Sequence, residues 1–489
     1  MNEDDEYYEL YEEELSNFAE SLPKVVRSFQ ESALEVSHMN DVPAAVSFFV
    51  ILGQVVKDFV LIPNGRNIED SRIHFGWIQS SGTGKSTLWN FVGPVAKETF
   101  IKINEKGHHP KMQSEIGNAT GQFALPQNFN TFSLTDYTDA TLIGGFNKST
   151  NDEGEDEMIR IPGHFEGAGL AHWDEFEYSG VFKPTQHNES SIVYLNTLMN
   201  TLAGESWVIS KALRQFDNEI MYCYSQRSVL AMTYPPDNLS DVIANKGVLQ
   251  RMLLFIWDVP EHIQDQMREE QIDKAGTIEI VNQPIDKYAN AFFKLYELMY
   301  DRYNEVGQDP LKTVTFAPGF NDALKHEYNE MKKFINNTNA DVRRVAQNFT
   351  TRLLKILIKM SVLCSIAEAP NIPNKSDRFV VRVKNVNQAA IIVRQCYNTL
   401  VTWLEQGLRV KRRSLERKSL YPTFVKVYAE VCAETGDDYI SKKELLSRVV
   451  KEGQKSQTTV YEYFKKIKNK FLEQKQGRVV FLKLIGDEK

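Results

Sequence analysis

Cysteine is scarce and long apolar runs are missing. Only 4 cysteines occur in 489 residues. Cys223, Cys364, Cys396 and Cys432 lie far apart, in no CxxC or other metal-ligand spacing. A disulfide-stapled scaffold and a cysteine zinc site are excluded, and a reducing, cytoplasmic setting is the expectation. No stretch reaches the ~18 unbroken apolar residues of a membrane helix. The nearest, "VPAAVSFFVILGQVVKDFVLIP" (42–63), is interrupted by Gln54, Lys57 and Asp58 and reads as a buried helix running into a strand. The opening "MNEDDEYYELYEEE" has neither the basic start nor the apolar stretch of a signal peptide. No repeat recurs at solenoid periods.

What is present is enough for a large folded protein. The chain has room for roughly three domains of ~150 residues each, and its 42% hydrophobic content excludes disorder throughout. Net charge is −8, but its distribution says more than its sum. Eight of the first fourteen residues are acidic, and "NDEGEDE" (151–157) is a second acidic cluster. The C-terminal part reverses the sign: residues 440–489 hold thirteen Lys/Arg against six Asp/Glu, just after "RVKRRSLERK" (409–418).

Five segments follow. Residues 1–20 read as an acidic tail and 21–70 as an N-terminal helical segment. Residues 71–284 alternate short apolar strands with helices, the mark of an α/β layered domain. Its strand candidates are "IHFGWIQ", "TFSLTDY", "GLAHWDE", "SVLAMTY" and "MLLFIWD". Two Gly-, Asn- and Pro-bearing stretches, 106–130 and 147–167, read as loops or insertions. Residues 285–407 are helical, with long amphipathic helices over 346–369 and 386–406. In 408–489 a basic linker precedes three helices, the third being "SQTTVYEYFKKIKNKF", and the strand "GRVVFLKLI". Three helices with a β-hairpin is the plan of a winged helix-turn-helix.

The chemistry centres on "IHFGWIQSSGTGKSTLWNFV" (73–92): a buried strand, a glycine-bearing loop and a helix start. A phosphate-binding loop needs small residues so that backbone N–H groups converge on phosphate oxygens at a helix N-terminus. Ser80, Ser81, Gly82, Thr83, Gly84, Lys85, Ser86 and Thr87 fit that description. Lys85 would reach the β- and γ-phosphates of ATP, and Ser86 would hold Mg²⁺. Gln79 stands where the pattern has its first glycine. "GLAHWDEFE" offers Asp174 for Mg²⁺ and Glu175 to orient or deprotonate the attacking water. Thr233 ends an apolar strand where a γ-phosphate sensor would sit. Arg251 precedes another strand, as would an arginine that reaches a neighbouring subunit's ATP in a ring.

The order of "LPKVVRSFQESA", "GWIQSSGTGKST", "DYTDATLIGGF", "AHWDEFE", "VLAMTYPPD" and "GVLQRMLLFIWD" resembles the helicase-type P-loop ATPases of phages and mobile elements, often fused to primases. The resemblance covers about residues 20–405. The latter half is also similar to the minichromosome-maintenance branch of AAA+ helicases. That likeness implies an AAA+-like α/β P-loop NTPase core with a helical lid and a C-terminal winged helix. It implies Thr233 as first sensor, in place of the usual asparagine, and Arg251 as the finger. Arg352 becomes the lid arginine, with Arg343 and Arg344 as rivals. It also implies a pore hairpin within 206–227 whose Lys211 and Arg214 grip a DNA backbone.

The expected function is therefore an ATP-driven ring translocase on DNA: a phage or plasmid replicative helicase, a homo-oligomer (hexameric by resemblance) in the host cytoplasm, working beside a separate primase or polymerase. Lys465, Lys466, Lys468 and Lys470, on or beside the last helix, would contact DNA phosphates. The alternatives are a helicase loader or protein remodeller, a packaging motor, and a non-enzymatic DNA-binding regulator. No metal-nuclease carboxylate cluster in the tail supports packaging.

Overall fold

The structure is a computed structural model that describes residues 20–37, 40–106, 129–135, 137–150, 156–200, 207–209, 221–223, 225–245, 247–273, 283–418, 421–452, 460–461, 464–465, 467–476 and 479–485. It divides into two compact units, Met1–Glu405 and Gln406–Lys489.

In the first unit, helix α1 (Lys24–Leu34) buries one stripe, Val26, Phe29, Gln30 and Ala33. Helix α2 (Asp41–Val55) is buried on every side. A helix that is apolar all round has to be enclosed, so residues 42–55 form a core helix, and the chain then enters the hairpin Leu61–Asn64/Asn67–Asp70. The single amide near the end of α2, Gln54, is satisfied by strand backbone. Its Nε2 donates to the Gln226 carbonyl at 2.7 Å and its Oε1 accepts from the Ser228 N–H at 2.9 Å.

Five strands make a wholly parallel sheet: β1 (Phe75–Gln79), β2 (Phe129–Leu134), β3 (Gly167–Trp173), β4 (Ser225–Thr233) and β5 (Leu253–Trp257), in the order β5-β1-β4-β3-β2. These are the five strands read from the sequence. Parallel strands covered on both faces appear as continuous apolar runs rather than alternating ones; β1 and β4 are buried at every position. The chain runs from β1 to the far edge, works back to β4, then passes over β1 to β5. Such a reversal opens a crevice at the carboxyl ends of the strands beside it. The register pairs Ile78 with Thr233 there.

Helix α3 (Lys85–Lys106) begins after five residues that follow β1, and α4 (Ile285–Glu305) packs along it. Phe29, Phe48, Phe91, Tyr288 and Phe292 draw α1 to α4 together, with ring centroids 4.6 Å apart for Phe48–Phe292 and 5.1 Å for Phe29–Phe91. Helices α5 (Phe320–Asn336), α6 (Ala340–Glu368) and α7 (Val383–Lys418) follow, so 285–407 is mainly helical. A two-residue parallel bridge joins Thr315–Phe316 to Val380–Val381. Asn339 caps α6, its Oδ1 accepting the Asp341 and Val342 N–H groups at 3.0 Å.

Part of one stretch read as a loop is strand. Gly144–Thr150 and Asp156–Pro162 pair antiparallel, overlapping the stretch 147–167. Gly144 opens this pairing: at φ 88° it leaves no room for a Cβ against the Ile161 carbonyl.

In the second unit, α8 (Tyr421–Thr435) and α9 (Lys442–Glu452) pack with Val460 and Phe464 against a three-stranded antiparallel sheet. Its strands are β6 (Ile440–Ser441), β7 (Phe471–Gln476) and β8 (Val479–Leu484), in the order β6-β8-β7. The sequence reading carried the third helix through Phe471. Instead Lys468–Lys470 is one 3-10 turn and Phe471 starts β7, its ring buried beside Phe424 and Phe464. Among the described residues no helix is long and apolar enough to cross a membrane.

Candidate functional site

At the carboxyl ends of β1, β3 and β4 lies a cavity of about 910 Å³, the larger of the two described in this molecule. Its floor is the loop between β1 and α3. Gly82 and Gly84 sit at φ 77° and 82°, where an L side chain is strained. A Cβ on Gly82 would meet nothing, whereas one on Gly84 would lie 2.7 Å from Ser37 Oγ. Thr83 Oγ1 donates to the Ser80 carbonyl at 2.7 Å and closes the turn. Ser80 itself faces β5: its Oγ donates to Asp258 Oδ1 at 2.9 Å and accepts the Val259 N–H at 3.1 Å. Ser81, Gly82, Thr83, Gly84, Lys85, Ser86 and Thr87 all line the cavity, at the N-terminus of α3, where unpaired N–H groups and the helix dipole favour an anion.

Lys85 Nζ donates to the Gln79 and Ser80 carbonyls at 2.7 and 2.8 Å. Burial pushes its ammonium down to about 8, against the pull of the Asp174 and Glu177 carboxylates. Those carboxylates come from the end of β3. Asp174 Oδ1 accepts the Glu175 N–H at 3.1 Å. Glu175 has φ 53°, ψ 46°, a left-handed conformation costing on the order of 1–2 kcal/mol for a residue with a Cβ, and its side chain is exposed. The single turn Phe176–Tyr178 then brings Glu177 inward, where it is 1% exposed and accepts a hydrogen bond from Thr233 Oγ1 of β4. Asp174, Glu175, Glu177 and Thr233 all line the cavity with Lys85.

The sequence reading had not singled out Glu177. The second glutamate of "DEFE" was visible, but only the backbone turn at Glu175 decides which carboxylate is enclosed. Ser37 and Asn40, which brace the loop from the α1–α2 junction, carried no sequence signal at all.

A divalent cation can be tested against these donors. Ser86 and Asp174 offer hard oxygens to one cavity, the donor chemistry of Mg²⁺. Among the described residues no group of three or more His, Cys, Asp and Glu forms a metal cage. The fit is therefore to an ion shared with a ligand's phosphate oxygens, which is how Mg²⁺ is commonly held.

Arg251 and Arg352 do not line this cavity. Both line a second one, of about 350 Å³, with Glu69, Asp70, Arg72, Lys355 and Lys359. Asp70 is taken by Arg72 at 2.7 Å, and Glu69 by Lys355 and Lys359. Among the described residues Arg251 donates to neutral oxygens: Asn200 Oδ1 at 2.9 Å and the Gly247 carbonyl at 2.6 Å. Burial and then the neighbouring Arg352 guanidinium lower its affinity for its proton. Of the rivals, Arg343 caps the preceding helix through the Asn336 and Thr338 carbonyls, and Arg344 is exposed.

Lys211 and Arg214 lie outside the described residues. The strands leading to them, Trp207–Ile209 and Met221–Cys223, pair antiparallel. In the second unit Lys465, Lys468 and Lys470 are exposed, Lys466 lies outside the described residues, and Lys468 is paired with Glu473 at 3.2 Å.

The first cavity thus unites helix-start N–H groups, an ammonium, hard oxygen donors and a buried carboxylate–hydroxyl pair, which suits an anionic ligand accompanied by a hard cation. No protein-family model matches the chain, and no curated protein matches it.

Proposed function

We propose that this chain is an ATP-hydrolysing motor that works on DNA as a homo-oligomeric ring, a replicative helicase in the sense its sequence resemblance implies. One observation carries the reading: the convergence of the Gly82–Gly84 loop, Lys85, Asp174, Glu177 and Thr233 on one cavity at the carboxyl ends of adjacent parallel strands.

In this reading the loop and the start of α3 are a P-loop that receives the phosphates, with Lys85 on the β- and γ-phosphates. Ser86 and Asp174 would hold Mg²⁺, which when bound neutralises charge developing on the phosphate oxygens. Glu175 and Glu177 supply the carboxylates for the attacking water, and Thr233 contacts the γ-phosphate. Arg251 and Arg352 share no wall with the first cavity of their own chain. Arg251 is read as the finger that reaches the nucleotide of an adjacent copy in the ring the resemblance implies, and Arg352 as the lid arginine. The second unit is read as a winged helix whose lysines touch DNA phosphates without reading sequence.

Turnover of Mg²⁺–ATP by the purified chain, with and without single-stranded DNA, tests this. DNA-stimulated hydrolysis that is lost in Lys85→Ala is expected, and wild-type turnover in that variant would sink the assignment. A loader or protein remodeller is the second reading. Glu473 engages Lys442 and Lys468 in the second unit, while Leu472 and Val479 stay exposed, a surface better suited to protein than to phosphate. Stimulation by a protein partner and not by DNA would favour it.

A further inference from the structure

Gln79 occupies the place where a phosphate-binding loop ordinarily has its first glycine, and its side chain has a task. The carboxamide is 1% exposed. Its Oε1 accepts from Trp77 Nε1 at 2.5 Å, and its Nε2 donates to Asn40 Oδ1 at 3.0 Å. Asn40, also buried, uses its own Nδ2 on the Thr83 carbonyl at 3.1 Å and on Ser37 Oγ at 2.7 Å. Ser37 Oγ completes the relay by donating to the Gly84 carbonyl at 2.9 Å. Every step is an oriented donor meeting an acceptor, and the far end consists of two loop carbonyls.

A trans peptide unit is planar, so its C=O and N–H point in opposite directions. Drawing the Thr83 carbonyl toward Asn40 turns the Gly84 N–H the other way. Drawing the Gly84 carbonyl toward Ser37 does the same to the Lys85 N–H. We propose that Ser37, Asn40 and Gln79 are positioning residues of the anion site: a relay, carried by the α1–α2 junction, that aims the Gly84 and Lys85 N–H groups at a bound phosphate. The inference rests on the nucleotide reading above and deepens it. The left-handed Gly84 fits the relay, because any side chain there would displace Ser37. Gln79 is then no defect of the loop. Installing the usual glycine at 79 removes the strut under Asn40 and weakens nucleotide binding instead of improving it.

The test uses the full-length protein and a fluorescent ATP analogue with Mg²⁺, together with steady-state kinetics. Gln79→Gly and Ser37→Ala are expected to raise the Kd and KM about tenfold, the loss expected when charge-assisted hydrogen bonds go astray. Their kcat should stay within about twofold, because loop N–H groups hold phosphate alike in the ground and transition states. Ser37→Thr keeps the hydroxyl and should restore wild-type affinity. A merely structural role would lower the melting temperature of all three without that split. If Gln79→Gly does not fold, Ser37→Ala, which removes a single oxygen, carries the comparison. Nucleotide affinity unchanged in both Gln79→Gly and Ser37→Ala overturns the relay while leaving the site standing. A wild-type protein that binds no nucleotide overturns the site, and the relay with it.

Discussion

Lys85 is held at a cost the fold itself bears. Its ammonium is enclosed enough to bring its pKa from 10.5 to about 8, a difference worth about 3 kcal/mol, since one pKa unit is about 1.4 kcal/mol. The cavity is open to solvent at its mouth, and screening cuts this to about 2 kcal/mol. Replacing Lys85 by methionine removes the charge and fills much of the same volume. Two hydrogen bonds, to the Gln79 and Ser80 carbonyls, go with it; at the low end for a hydrogen bond the loss is about 0.5 kcal/mol each. Lys85→Met should therefore be catalytically dead yet more stable than wild type by about 1 kcal/mol at pH 7. The sign with pH follows from linkage. A lysine with a lowered folded pKa makes the unfolded chain bind more protons between about 8 and 10.5, so wild-type stability rises with pH across that window. Below it both states are protonated and the penalty is full. The advantage of Lys85→Met should accordingly be constant from pH 6 to 7 and shrink by pH 9.5. Urea unfolding of both proteins at matched pH, compared at equal m-value, measures it. A variant less stable than wild type at pH 7, or an advantage that does not change by pH 9.5, refutes the reasoning.

Three further outcomes follow from the proposed function. Glu177→Gln keeps the shape of the buried side chain but weakens its acceptance from Thr233, so single-turnover hydrolysis should slow at least about 100-fold with nucleotide affinity retained; near-wild-type turnover would assign the water to the exposed Glu175 alone. Mixing Arg251→Ala with Lys85→Ala subunits should restore part of the hydrolysis that neither variant has, where an intact loop meets an intact arginine. Full activity in a strictly monomeric preparation would end the ring proposal. A chain ending at residue 418 removes α8, α9 and the β6–β8 sheet, so it should remain a folded ATPase whose DNA binding is weaker and has a shallower salt dependence. An unchanged DNA affinity would move the second unit toward protein docking.

The sheet was legible because parallel strands covered on both faces are uninterrupted apolar runs, and "IHFGWIQ" or "SVLAMTY" can hardly be anything else. The loop was legible because Gly82, Gly84 and Lys85 are local chemistry, fixed within a few residues. Partnerships across the chain were not. Asn40 is 39 positions from Gln79, and nothing in "SHMNDV" announces that its amide will brace a distant turn. Glu175 and Glu177 look equivalent in "DEFE"; a left-handed φ at the first and one tight turn after it separate an exposed carboxylate from an enclosed one. Arg352 sits on a long amphipathic helix whose pattern fixes which face is buried, not which cavity its rim overlooks.

Helix α2 has a bearing on how the protein comes to exist at all. It is buried on every face, and its cover comes from α1 and α3, from β1, β3 and β4, from Phe292 on α4 and from α6. α1 is made before it and β1 and α3 soon after, but β3, β4, α4 and α6 are translated long after it. At about 5–20 residues per second, the interval between Val55 and Phe292 lasts on the order of 10–50 seconds, during which an apolar segment leaves the ribosome with only part of its native cover. Closing so long a loop before the core can form also slows folding. Helix α2 is thus made well before it is fully sheltered. A nascent chain halted near residue 200 should bind a holding chaperone or aggregate, whereas one released after residue 310 should resist protease over residues 41–55. Equal protease resistance at the two lengths would show that α2 finds cover earlier than its native partners allow.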